Sequence, residues 1–164
     1  MDKIERILAG VSRVEARGLF LVDYWSVSQL TVVLPAGAAN QALPDVVVGD
    51  LPTGITIVKA TALIKFRSLT NTGADNKLSG VQHIQVQKGG AGGYADAISL
   101  IDDMLTIAAA AVDAPGDVIM GDHNIVAKVT ANDTYNFQWT NALADVANLT
   151  LNDVQTGLRI WYRS

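Results

Sequence analysis

From residue 58 to residue 67 the chain alternates between two chemistries. Even positions carry Val58, Ala60, Ala62, Ile64 and Phe66, and odd positions carry Lys59, Thr61, Leu63, Lys65 and Arg67. Successive side chains of a β-strand point to opposite faces. This period of two therefore predicts a strand with one face on a core and one toward water, Leu63 being the exception. The period returns near the C-terminus. Tyr135, Phe137 and Trp139 alternate with Asn136, Gln138 and Thr140, and Val154, Leu158, Ile160 and Tyr162 alternate with Gln155, Arg159 and Arg163. Ile125, Ala127 and Val129 against Asn124, Lys128 and Thr130 predict a further strand, and Ile84 with Val86 places one at 81–88.

The residues between these runs favour turns. Of 16 acidic residues 14 are Asp, and the two Glu, Glu5 and Glu15, both lie in the opening segment. Asp favours turns where Glu favours helices, so the chain beyond residue 20 is biased toward strands and turns. Leu30–Leu34 reads as a strand, 35–44 as a small-residue loop, Val46–Val48 as a short strand, and 49–54 and 71–80 as turns. Lys88–Gly93, with Gly-Gly-Ala-Gly-Gly, reads as a hairpin or surface loop. Residues 94–112 are ambiguous. Ala108–Ala111 suits a helix, whereas Asp102-Asp103 reads as a turn between strands at 96–101 and 104–112, the reading favoured here. Seven to nine strands in 164 residues imply an all-β fold, a single β-sandwich or jelly-roll domain.

The opening segment has a different period. Ile4, Ile7, Leu8, Val11 and Val14 follow three-and-four spacing, with Lys3, Glu5, Arg6, Arg13 and Glu15 elsewhere on the wheel. This predicts an N-terminal helix over 2–17, stopped at Gly18. So short a helix is marginal alone and needs a surface to pack on, either its own domain or a neighbouring subunit. The expected division is an N-terminal helical arm at 1–25 and a β-sandwich at 26–164. Used as an arm, the segment offers Ile4, Ile7, Leu8, Val11 and Val14 for burial and Arg6, Arg13 and Arg17 for carboxylates on a partner. Trp25 and Trp161 join them as candidate partner-binding anchors, because Trp161 shares the polar face of its strand with Gln155, Arg159 and Arg163.

No catalytic, cofactor-binding or metal-binding residue is assigned. There is no cysteine, which excludes thiolate metal sites and thiol nucleophiles. His83 and His123 are 40 residues apart and lack a metal-type spacing. No serine sits in a nucleophile elbow, and Gly89–Gly93 lacks the Lys-Ser/Thr ending of a phosphate loop. Asp102, Asp103, Asp113, Asp117 and Asp122 cluster, but not with calcium-loop spacing. The formal net charge of −4 argues against a nucleic-acid partner. No apolar run approaches the roughly 18 residues of a membrane span, and the charged start does not read as a secretory signal.

The segment from Asn132 to Tyr162, NDTYNFQWTNALADVANLTLNDVQTGLRIWY, resembles the C-terminal part of small β-sandwich proteins of tailed-phage particles. The resemblance covers about the last 70 residues and, more loosely, the strand at 55–69. It implies a non-enzymatic virion protein of the decoration (cement) type, located on the capsid and made in the host cytoplasm. It further implies the major capsid protein and further copies of the chain as partners, in a homo-oligomer that is often a trimer. Alternatives are another virion component (a jelly-roll shell protein, head fibre or tail protein) and a carbohydrate-binding module.

Overall fold

A computed structural model describes residues 18–34, 40–71, 82–100, 112–113, 118–140 and 149–164. These form eleven strands: β1 (Leu19–Trp25), β2 (Gln29–Leu34), β3 (Asn40–Val48), β4 (Thr56–Lys65), β5 (Ser68–Asn71), β6 (Gln82–Lys88), β7 (Ala91–Leu100), β8 (Val112–Asp113), β9 (Ile119–Met120), β10 (Asp133–Thr140) and β11 (Leu149–Arg163). All pairings are antiparallel. The expected helix over 2–17 lies outside the described residues.

The larger sheet is organised by the 15-residue β11. Its second half pairs with β1 on one side and β4 on the other; its first half pairs with β2 and β5 on those same sides. β1–β2 and β4–β5 are thus two long strand lines, each interrupted once, and β9 and β8 continue the sheet beyond β4 and β5. The interruptions share a cause. Leu151 and Val154, three residues apart, are both buried, so the alternation of β11 slips between them, where Asp153 takes a left-handed conformation (φ 52°). The flanking lines break beside this slip and are tied back to it. The Arg67 backbone N–H donates to Asn152 O at 2.9 Å, the Arg67 guanidinium pairs with Asp153, and the Ser26 N–H donates to Thr156 O at 2.9 Å.

The smaller sheet has the order β3-β10-β6-β7. Counting interrupted strands as single lines, the sheets run 1-8-3-6 and 2-7-4-5, the winding of a jelly roll. The core lies between them. β10 contributes Tyr135, Phe137 and Trp139, and they meet Ala60, Ala62 and Ile64 of β4, Leu158 and Ile160 of β11, and Ile84 and Val86 of β6. Each large side chain so buried contributes about 1.5–3 kcal/mol. The buried Tyr135 hydroxyl is satisfied locally, donating to Ala131 O at 2.6 Å.

Several expectations are corrected. Residues 19–25, read with the arm, are a strand paired along its whole length with β11, so they belong to the sheet and not to an arm that ends at residue 25. β3 starts at Asn40, inside the expected loop, and tolerates Pro44 because that residue falls where the pairing with β10 shifts, on a strand that ends the sheet among the described residues. β7 starts at Ala91, earlier than the strand expected at 96–101, after a Gly89-Gly90 turn with positive φ at both residues. Of the strand expected at 104–112, only Val112 falls among the described residues. No strand exists at 124–130. The Val129 and Lys128 N–H groups both donate to Ile125 O, a helical turn that buries Ile125 and Val129 and exposes Ala127. Positions four apart share a face in either geometry, which is why the pattern read as a strand. Finally, Val58 is exposed, because the pairing shifts between Trp161 and Tyr162 and Ile57 takes the inward place.

Candidate binding face

The outer face of the larger sheet carries the odd-numbered residues that the sequence marks as solvent-facing. The register aligns Leu21, Trp161 and Lys59 in one row, Asp23, Arg159 and Thr61 in the next, and Trp25, Gly157, Leu63 and Met120 in the third. Trp25 and Trp161 therefore lie on one face, four residues apart in register, or about 13 Å along the strands. Sequence reasoning offered both as candidate anchors but had no means of placing them together. The other expected partner-binding residues, Ile4, Arg6, Ile7, Leu8, Val11, Arg13, Val14 and Arg17, lie outside the described residues.

Each tryptophan is covered by a cation. Lys59 Nζ stands 4.7 Å from the Trp161 ring centroid, and Lys65 Nζ stands 4.7 Å from that of Trp25. Such pairs contribute about 0.5–1 kcal/mol at exposed sites. Between them, Arg159 forms a two-pronged pair with Asp23, Nε to Oδ1 at 2.8 Å and Nη2 to Oδ2 at 2.7 Å. That hydrogen bond raises the Arg159 pKa, so the guanidinium stays charged. With Arg163 in the same alternation, the described residues of these rows bring Lys59, Lys65, Arg159 and Arg163 together with the carboxylate of Asp23, in a chain of net charge −4.

The face is more than a solvated ladder. Leu63 points outward yet is fully buried, beside Gly157, whose missing side chain lets the Trp25 ring lie down on the sheet. Thr61 is also buried, and its Oγ1 has no hydrogen-bond partner among the described residues. Leu21 and Met120, each more than half exposed, border this apolar floor. The residues missed by the sequence reading are thus Asp23, Lys59, Thr61, Leu63, Lys65, Arg159 and Met120. The signal for them was Leu63, the one apolar residue on the polar side of β4.

The outer face of the smaller sheet is different. Gln85 is its hub, donating to Asp96 Oδ1 at 2.7 Å and accepting from Gln138 at 2.7 Å and Thr140 at 2.8 Å. The side chains of Gln85, Asp96, Gln138 and Thr140 are thus engaged with one another. In the expected acidic cluster, burial pushes the Asp122 pKa up, but hydrogen bonds from Ser99 N–H and His123 outweigh it and hold the carboxyl below its ordinary range. Asp102, Asp103 and Asp117 lie outside the described residues. A groove of about 320 Å³ opens at one end of the sandwich, lined by Leu51–Ile55, Ile57 and Thr130–Asn132. Its wall is closed by Asn132, whose amide accepts from Leu51 N–H and donates to Leu51 O.

No protein-family model matches the chain, and no curated protein does. Among solved structures, infectious bursal disease virus Gx strain is similar at 8% identity and a TM-score of 0.41, over 88% of this chain and 36% of that one. The capsid of Ralstonia phage GP4 is similar at 16% identity and a TM-score of 0.31, over 89% of this chain and 84% of that one. The chain spans about a third of the first of these.

Proposed function

We propose that the chain is a non-enzymatic structural protein of a virus particle, of the capsid decoration (cement) kind, with the major capsid protein as its partner. The observation that carries the binding reading is the outer face of the larger sheet. Two tryptophans, a buried leucine and four cations are arranged there on a stiff antiparallel scaffold. Aromatic and arginine side chains over an apolar floor are the residue types that dominate protein interfaces. The virion assignment rests on the resemblance of Asn132–Tyr162 to phage particle proteins and agrees with the jelly-roll winding. The cationic face meets carboxylates of the capsid surface, and many weak copies on a shell hold by avidity.

Quantitative mass spectrometry of purified particles tests this reading. About one copy per major capsid subunit, or a simple fraction of that, is expected; absence from particles overturns the proposal. Lys59→Glu with Lys65→Glu, both on the outer face, should release the protein from particles at lower salt than the native chain. Release at the same salt would remove this face from the contact.

A further inference from the structure

On the outer face of the larger sheet, successive rows fall two residues apart along each strand, or about 6.6 Å. The three rows already described each carry one cation. Lys59 stands over Trp161 in the first. Arg159, clasped by Asp23, occupies the second. Over the third stands Lys65, which is rooted opposite Gln155 in the next row but reaches back to the Trp25 ring. That ring rests on Gly157, so the three positive charges follow the line of β11, and the row spacing sets the outer two about 13 Å apart. Each charge is also held in place. The two lysines sit on the rings they cover, and Asp23 takes the Nε–Nη2 edge of Arg159. The Nη1–Nη2 edge remains, with Nη1 3.8 Å from the sulfur of Met120, a side chain more than half exposed. A second carboxylate can pair with that edge through two parallel hydrogen bonds.

We propose that this line receives an extended acidic segment of the partner protein, with a carboxylate on every second residue. The proposal deepens the reading of this face as the capsid contact and rests on it. Alternate side chains of an extended chain point the same way, about 6.6–6.8 Å apart, which is the row spacing of the sheet. Three such carboxylates meet Lys59, Arg159 and Lys65 in turn, and the residues between them point away. A helix matches the line less well. Its residues i, i+4 and i+8 rise about 6 Å per step but turn about 40° each time, so the third carboxylate leaves the line. Charge favours an acidic occupant, because the three cations face one carboxylate, Asp23, in these rows. A nucleic acid also repeats its charge along an extended strand, but it is drawn by a basic field, and this chain has 16 acidic residues against 12 basic.

The test uses the full chain and the indole N–H resonances of its three tryptophans. Trp139 is buried in the core and serves as the internal reference. A blocked Ser-Glu-Ser-Glu-Ser-Glu-Ser peptide is titrated at low ionic strength beside its isomer Ser-Ser-Glu-Glu-Glu-Ser-Ser. The alternating peptide should shift Trp25 and Trp161 but not Trp139, with a dissociation constant about fivefold lower, or more, than that of the isomer. Lys59→Gln and Lys65→Gln should each weaken its binding about threefold and narrow the difference between the peptides, with an unchanged melting temperature. Equal affinity for the two peptides overturns the proposal. So does tighter binding of an Ala-rich helix with Glu at every fourth residue, or of a thymidine oligonucleotide of the same charge. Salt-sensitive attachment to particles without a peptide preference would remove the extended acidic segment and leave the capsid contact standing, so the two readings fail separately.

Discussion

Replacing Gly157 by alanine tests how the binding face is built. Gly157 lies on the outer side of β11, between Trp25 of β1 and Leu63 of β4. A Cβ there would stand 2.9 Å from Trp25 Cε3, 3.1 Å from Trp25 Cδ2 and 3.0 Å from Tyr24 O. Carbon atoms pack at about 3.5–4.0 Å, so the ring must lift by roughly half an ångström or more. Overpacking of this kind costs about 1–3 kcal/mol, and the smaller unfolded-state entropy of alanine returns about 0.4–1 kcal/mol. The main obstacle is a side chain at a half-buried site, which can swing toward water. The net loss should therefore be about 1–2 kcal/mol, or roughly 2–8 °C in melting temperature for a chain of this size. The lifted ring also leaves Lys65 and uncovers Leu63, so near-ultraviolet circular dichroism should change along with calorimetric stability. In a Trp25→Ala background the same substitution should cost less than half as much, because only the Tyr24 carbonyl still opposes it. An equal loss in both backgrounds, or none in the native one, would refute the account of the ring resting on Gly157.

Gly121→Ala should be more damaging, because the obstacle is backbone: a Cβ would stand 2.3 Å from Ala97 O and 3.1 Å from Ala62 O. Calorimetry should register a loss above about 3 kcal/mol, and a wild-type melting temperature would sink the reasoning. The alkaline limb of stability should depend on Tyr24. Burial and its hydrogen bond to Asp50 raise its pKa well above the ordinary tyrosine value. The folded state then holds the phenolic proton more tightly than the unfolded state, so this stability is intact below pH about 10 and is lost as pH rises above it. Tyr24→Phe should flatten the decline in melting temperature between pH about 10 and 12, and an unchanged slope would count against the contact.

The strands that were legible in the sequence are those whose pattern is local. Tyr135, Phe137 and Trp139, and Leu158 with Ile160, are buried as their alternation requires, because the pleat alone sets which way a side chain points. Alternation failed where two geometries share a signature, as at Ile125 and Val129, or where a bulge moves the parity, as at Val58 and Asp153. The apolar run at 19–34 was visible in the sequence; that it lies along one side of β11 was not. What the residues by themselves determined is a strand-rich chain with a core face and a polar face on the strands around 59–65, 133–140 and 154–163. The tertiary structure decided which polar faces became one surface. Trp25 and Trp161 stand 136 positions apart in the chain, and no local interaction relates them. They share a face because β1 pairs with β11, in a register set by the packing of two sheets over one core.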